Sequence, residues 1–538
     1  MAEPKPVPPR VVSRAFLGIL LLFVILAGTR IATKRPWVDE AWFTSPALDL
    51  VTHGRFGTHV LEPTGTHLSL FQPGAVLTGI DRHTYWIMPL YPLTLAAWGK
   101  LFGFSVFSMR VPSVFWGILL LCSVRTIVRR LGGLESAAVL ATAILAVEFA
   151  FVDSGSDARM DMMCAALGFS GIASFLTLRD RSSMVAGLVG HALCAAAFFT
   201  HPNGMFASMS LLLCAWWMEP TRVSVRIAAI GAVPYAVGGI AWGAYIMQAP
   251  GDFAAQFGAN SAHRMAALLN PLRAIYDEFA VRYLLQHFYP DTGNPFVRLK
   301  VIGLFVFVGS TAALILVPKL RAHSGYRLLW SLAIVRFLTM AVGASWRLEY
   351  YLVHALPFYA AIAGIVGSWL WTQQELRHRL LAATVLGAYF AVQFAVFAHL
   401  VTEVSAYRKK YLPAVAYVRS ILKPGEVVAG AGDLAFVMGF YNPQLVDDLW
   451  LGRWSGKRPA VVVVDDWYYQ PCMTMDEPTA ATYVRWVSGD LKQNFKVVQS
   501  FDGYTIYRRL DPLTSSGPDS VEHNHTVLRS KATQGPGE

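Results

Sequence analysis

The chain is dominated by runs of about 20 apolar residues separated by short polar loops, each run long enough as a helix to cross roughly 30 Å of hydrocarbon. These runs recur from Ala15 to about His399. They predict eleven membrane spans, at 15–33, 107–128, 133–152, 161–178, 184–200, 204–218, 226–247, 296–317, 327–345, 350–371 and 379–400. The stretch 86–104 is also apolar. It carries Pro89, Pro92, Lys100 and several aromatic residues, a composition that suits a segment lying at the membrane interface. The first span has the shape of a secretion signal, but Gly28 to Arg35 offers no small-residue cleavage site, so it is read as retained.

Beyond His399 the pattern changes. Short valine-rich strands around Val427, Val461 to Val464 and Val497 alternate with helical stretches at 413–422 and 478–495, each opened by a proline suited to a first helical turn. This alternation predicts a small α/β domain at 404–510. Residues 511–538, rich in Ser, Gly and Pro, are expected to be disordered. The membrane part is then 1–403, with a long first outer loop at 34–106 that includes the interfacial segment.

Composition and charge narrow the picture. Only 15% of the 538 residues are charged, against roughly a quarter in a soluble protein, and a conventional soluble enzyme is excluded. Setting 86–104 on the membrane surface leaves Arg125 to Arg130, Arg179 to Arg181, Glu219 to Arg226, Lys319 to Arg327 and Glu375 to Arg379 on one side, in short basic loops. By the positive-inside rule that side is cytoplasmic, together with the N-terminus, and the α/β domain lies outside. Nearly all of the net charge of +11 falls in those segments. It is therefore an orientation signal, and no nucleic-acid partner is implied. The five cysteines have neither the setting of a disulfide framework nor the spacing of a zinc site.

This topology gathers ionisable residues on the outer face, where charge beside hydrocarbon usually marks a site. Asp39 and Glu40 follow the first span. Adjacent residues on a helix point about 100° apart, so only one of them can face a given reacting atom. The pair reads either as a general base with an orienting partner or as solvated charges ending a span. Asp153, Asp157 and Asp161 would share one helical face, and their repulsion is relieved by a break at Ser154 to Ser156, by Arg159, by a raised pKa, or by a divalent cation on Asp157 and Asp161. Arg159 and Arg347 suit a phosphate or simply snorkel to water. His201 opens a similar choice. Glu148 and Arg336, inside predicted spans, read as bundle-facing polar contacts. His53, His59, His67 and His83 lack a metal-ligand spacing and read as loop histidines. Asn524 to Thr526 matches a glycosylation acceptor.

Taken in order, several short stretches resemble one family. They are Asp39-Glu40, Pro89 to Tyr91, Leu101 to Gly103, Arg110 to Ser113 with Gly117, Ala158 to Asp161, Thr200 to Gly204, and Arg347 with Tyr350, Tyr351 and Pro357. The resemblance is to the GT-C membrane glycosyltransferases, in the branch of the protein O-mannosyltransferases and lipid A aminoarabinose transferases. It covers nearly the whole membrane part.

The resemblance implies a polytopic α-helical fold with an appended extracytoplasmic domain, in the cell (inner) membrane. It implies an inverting transfer of a sugar from a polyprenyl-phosphate donor to a hydroxyl of a glycan, glycolipid or protein. Asp39, Glu40 and Asp161 are then the catalytic candidates. Arg159, His201, Arg347 and His83 are candidates for the donor phosphate, and Tyr85, Tyr350 and Tyr351 for substrate contact. No cofactor is required by this chemistry, with a divalent metal on Asp157 and Asp161 as the variant. A transporter or lipid flippase is the rival reading, since it too would have many spans and buried charge.

Overall fold

The structure, a computed structural model, describes residues 9–63, 77–221, 224–262, 270–290, 294–344, 347–402, 406–474 and 481–510. The expected disordered tail, the glycosylation match and His67 lie outside the described residues.

Helix α1 (Pro9–Thr33) is followed by α2 (Val38–His53), α3 (Leu90–Phe102), α4 (Val106–Arg130), α5 (Glu135–Val147) and α6 (Phe149–Ser154). The chain continues through α7 (Met160–Leu178), α8 (Ser183–Thr200), α9 (Gly204–Met218) and α10 (Val225–Ile246). Four short elements come next: α11 (Pro250–Ala262), α12 (Pro271–Asp277), a π-helix (Glu278–Phe288) and α13 (Pro295–Arg298). The last membrane helices are α14 (Val301–Leu316), α15 (Pro318–Arg321), α16 (Ser324–Gly343), a 3-10 turn (Glu349–His354), α17 (Leu356–Thr372) and α18 (Leu376–Thr402).

The protein is a multi-pass membrane protein. Among the described residues eight helices are long and apolar enough to cross a bilayer, and α5, α9 and α17 are shorter apolar helices lying on three further predicted spans. Predicted span 133–152 is divided: Glu148 adopts extended backbone between α5 and α6, where its carboxylate accepts from Ala150 N at 3.3 Å. The interfacial segment forms α3, whose 13 residues reach about 20 Å at 1.5 Å per residue, too short to span. Helix α10 buries only Gly231 and leaves Val233, Val237 and Ile240 exposed, a surface that calls for hydrocarbon rather than water.

Small residues let the helices approach closely, as membrane packing favours. A Cβ on Gly364 of α17 would lie 2.6 Å from both Ala137 O and Ala141 N of α5. Both obstacles are backbone, so neither can rotate away. Gly364→Val is expected to destabilise the fold by about 1–3 kcal/mol, measured as a lower thermal midpoint of the detergent-purified protein; an unchanged midpoint would refute this packing.

The C-terminal domain contains α19 (Leu412–Ile421), β1 (Val427–Ala429), α20 (Ala435–Met438), β2 (Leu445–Val446), β3 (Pro459–Asp465), α21 (Tyr469–Met473), α22 (Ala481–Asn494), β4 (Phe495–Phe501) and β5 (Tyr504–Arg509). Strand order is β2-β1-β3-β5-β4. β1 pairs in parallel with β2 and β3, while β5 runs antiparallel to β3 and β4. All seven residues of β3 are buried, which is why its four valines show no alternation. The sequence pattern missed β2 and β5, the first because it is two residues long, the second because its inward positions carry Tyr504 and Ile506 among polar neighbours.

The domain is stitched to the segment that follows α1. Asp447 N donates to Val60 O at 3.0 Å, Trp42 Nε1 donates to Asp447 Oδ2 at 2.9 Å, and Arg35 pairs with Asp466 at 2.7 Å.

Candidate functional site

Between the membrane helices and the C-terminal domain lies a cavity of about 1060 Å³. Its walls include Arg35, Trp37, Asp39 and Trp42 from the start of α2 and the residues before it. They also include Arg159, His201, Lys300, Tyr350 and Tyr351 from the helix ends, and Asp466 and Trp467 from the domain. Phe149, Val297 and Leu400 supply apolar wall.

The two adjacent acids part as the helical turn requires. The Asp39 side chain, 18% exposed, faces the cavity and pairs with Arg159 Nη1. Glu40 turns the other way and is fully buried. Its carboxylate accepts from Arg110 Nε at 2.7 Å and Nη2 at 2.6 Å, from Ala158 N at 2.8 Å and from Trp37 N at 2.8 Å. Arg110 in turn donates to the Ile31, Lys34 and Arg35 carbonyls at the end of α1. Glu40 is therefore not among the cavity-lining residues; it ties α2, α4 and the residue before Arg159 into one rigid unit. Where the sequence reading sets Glu40 against the acceptor, the structure places it behind the wall that carries Asp39.

The break at Ser154 to Ser156 is present: α6 ends at Ser154 and α7 begins at Met160. Asp153 and Asp157 stay together, and Lys34 Nζ bridges them, at 2.8 Å from Asp153 Oδ2 and 2.7 and 2.8 Å from the two oxygens of Asp157. Arg30 completes the group on Asp153 at 2.8 Å. Burial, with Asp153 and Glu40 nearby, pushes the Asp157 carboxyl above the usual range despite Lys34. Both Asp157 oxygens are engaged by an ammonium. Lys34 thus occupies the oxygens that a cation on Asp157 would use.

Asp161, in the first turn of α7, accepts from Arg159 Nε at 3.1 Å. Arg159 also lies over Tyr350, its guanidinium carbon 3.8 Å from the ring centroid. Asp161, His201 and His354 present ligand atoms within 4.8 Å of one another, all buried, and are the residues that could hold a cation. Yet His201 Nδ1 accepts from Asn203 N at 3.0 Å, which in the neutral ring leaves the proton on Nε2. A ring in that tautomer donates a hydrogen bond from Nε2, and would have to give up that proton to hold a cation there. Tyr351 packs on His201 with centroids 5.5 Å apart.

Three expected contacts lie elsewhere. The Arg347 guanidinium is absorbed by the end of α16, donating to Ala341 O at 2.6 Å, to the Ala344 and Met340 carbonyls, to Ala274 O, and to Glu278 at 3.1 Å. It closes orphan carbonyls that every helix end presents. His83 stacks on Tyr85 and approaches Asp252 at 3.7 Å, and the Tyr85 hydroxyl donates to Tyr245 O at 2.9 Å. None of Arg347, His83 and Tyr85 lines the cavity. The histidines His53 and His59 both bond Asp49, at 2.9 and 3.0 Å.

Lys300 is a functional candidate that the sequence pattern does not single out. It is 3% exposed and lines the cavity, with its ammonium 5.1 Å above the Phe149 ring. Among the described residues no carboxylate lies within ion-pair distance of it. Beside it His287 sits between Glu148, at 2.7 Å, and Glu349, at 3.4 Å. Burial and Lys300 push the His287 pKa down, the two carboxylates push it up by more, and the net shift is upward. Glu148 is thus paired within the bundle, and Arg336 donates to Ser210 at 3.0 Å.

Residues 83–241 match the family described as dolichyl-phosphate-mannose-protein mannosyltransferase. No curated protein matches the chain by sequence. Among solved structures, the fold is similar to ArnT from Cupriavidus metallidurans bound to undecaprenyl phosphate, with a TM-score of 0.56 at 13% identity over 95% of this chain and 100% of that one. It is also similar to the archaeal oligosaccharyltransferase AglB from Archaeoglobus fulgidus in complex with an inhibitory peptide and a dolichol-phosphate, with a TM-score of 0.54 at 13% identity over 93% and 75%. The chain shares the fold of these two proteins, a membrane helix bundle bearing a small C-terminal domain.

Proposed function

We propose that the protein is a glycosyltransferase that moves a sugar from a polyprenyl-phosphate donor to an acceptor hydroxyl on the extracytoplasmic side of the cell membrane. The observation that carries this reading is the Asp39–Arg159 pair on the wall of one cavity whose sides come from both membrane helices and the C-terminal domain. That ArnT is bound to undecaprenyl phosphate and AglB to a dolichol-phosphate adds the donor class, and the basic inner loops add the side.

In this mechanism the donor phosphate approaches Arg159, the His201 Nε2 proton and Lys300. Arg159 exchanges its carboxylate partner for the phosphate, and Asp39 is released as a base. The acceptor oxygen attacks the anomeric carbon, the bond from that carbon to the phosphate oxygen breaks with its electron pair leaving on phosphate, and the acceptor proton passes to Asp39. Cationic groups already in place stabilise the charge that develops on the leaving oxygen. A single displacement inverts the anomeric centre. Asp161 holds Arg159 in position, while Tyr350 and Tyr351 pack the guanidinium and imidazole.

The test is incubation of the purified protein with radiolabelled polyprenyl-phosphate sugars and an envelope fraction. Transfer of label with release of polyprenyl phosphate supports the reading, and intact donor with altered solute flux in proteoliposomes would replace it with the transporter. Lys300→Ala is expected to raise the KM for the lipid donor about tenfold, with Lys300→Arg recovering part of the loss. An unchanged KM would take Lys300 out of the phosphate site.

A further inference from the structure

The C-terminal domain does not only roof the cavity; it offers a shaped surface at the point where its sheet opens. The chain leaves β1 toward β2 on one side and leaves β3 toward α21, α22 and the β4-β5 pair on the other. The neighbouring carboxyl ends of β1 and β3 therefore form a switch point, the place where open α/β sheets bind ligands. In this protein the residues that follow β3 directly, Asp466 and Trp467, line the cavity of the membrane domain.

Trp467 is 46% exposed although it lies in a cavity wall. Its position is fixed by two neighbours. The Trp37 ring meets it edge-on, with centroids 5.0 Å apart at 72°, and the Arg35 guanidinium lies 4.6 Å from its centroid. Arg35 is itself buried, its side chain 8% exposed, and donates from Nη2 to Asp466 Oδ1 at 2.7 Å. The guanidinium also lies 5.5 Å from the Tyr504 ring centroid, and the buried Trp37 Nε1 has no hydrogen-bond partner. A buried indole N–H with no acceptor is costly unless something supplies one. The Asp466 carboxylate, 47% exposed, stands at the same rim.

We propose that Trp467, with Arg35, Asp466 and Trp37, is an acceptor subsite that binds a sugar ring, so that the hydroxyl to be glycosylated belongs to a saccharide. A sugar ring has a face of C–H groups and a rim of hydroxyls that both donate and accept. The half-exposed Trp467 indole matches the first; the exposed Asp466 carboxylate and the unpaired Trp37 N–H match the second. A polypeptide acceptor held by strand addition needs an open sheet edge, whereas strand ends, not the edge strands β2 and β4, meet the cavity. A prenyl chain has no use for a charged pair. Asp39 and Trp37 lie two residues apart at the start of α2, which places the base beside the bound ring.

The subsite deepens the proposed transfer reaction and rests on it for its meaning, but binding can be read without turnover. The experiment is saturation-transfer NMR on the full-length protein in lipid nanodiscs, using linear trisaccharides of mannose, galactose and arabinose and, separately, a hexapeptide containing serine and threonine. At least one trisaccharide is expected to receive saturation from the protein. Trp467→Ala should weaken that binding about tenfold, Trp467→Phe should retain most of it, and Asp466→Asn should weaken it, all with unfolding midpoints matching the parent. Saturation of the peptide alone, of no saccharide, or of the saccharide equally in the Trp467→Ala protein would overturn the proposal. Native mass spectrometry of the same samples with undecaprenyl phosphate keeps the two readings apart. Loss of lipid binding alone counts against the donor assignment, and loss of saccharide binding alone against this subsite.

Discussion

Asp39→Asn is expected to lower kcat for sugar transfer by about a hundredfold to ten-thousandfold while leaving binding of the lipid donor intact. Asparagine keeps the shape of the side chain but cannot take the acceptor proton, and it also ends the charge pairing with Arg159. The second consequence sharpens the test. In the resting protein Arg159 divides its guanidinium between Asp39 and Asp161, so removing one carboxylate leaves it more available to the donor phosphate. Donor KM should therefore hold steady or fall as kcat falls. A residue that merely held the wall in place would raise KM and lower thermal stability together. Undiminished kcat in the Asp39→Asn protein would end the base assignment, and a raised donor KM would show that Asp39 acts through structure.

How much of this was legible in the sequence follows from the range of the interactions. The membrane helices were visible because each depends on its own run of apolar residues, and the break at Ser154 to Ser156 because it is a local effect of Gly and Ser. The divergence of Asp39 and Glu40 was also local, a matter of one helical step. What filled the gap on the Glu40 side was not: its partner Arg110 lies 70 residues on. Arg347 read as a phosphate ligand because an arginine at the outer end of a span suits one, and only the folded chain shows that its acceptors are the carbonyls of the helix it follows. Lys300 was passed over for the opposite reason. A lysine at the mouth of a span looks interfacial, and the cavity beside it is made by Phe149, Glu349 and Tyr350, brought together from other segments. Nothing local marks Trp467, two residues beyond a buried strand. Its significance comes from the membrane domain meeting the end of that strand.

The largest effect on stability is expected at Arg110. The Arg110–Glu40 pair has no solvent exposure on either side chain, and Glu40 has two backbone donors besides. Arg110→Met would fill much of the same volume but leave a buried carboxylate facing Ala158 N and Trp37 N alone, and three carbonyls at the end of α1 would lose their donor. Breaking one side of such a pair typically costs about 3–5 kcal/mol, enough to remove most of the folded protein from a detergent extract on size-exclusion chromatography. Replacing both partners, as Arg110→Met with Glu40→Gln, should recover a large part of that loss, because the orphan charge is gone and the amide can still accept from Ala158 N. Activity should not recover in proportion. The pair fixes the backbone at Ala158, one residue before Arg159, and the turn at Trp37, two before Asp39, so a stable double variant with slack in that wall should bind donor and turn it over slowly. Equal recovery of stability and rate would mean that the pair serves folding alone.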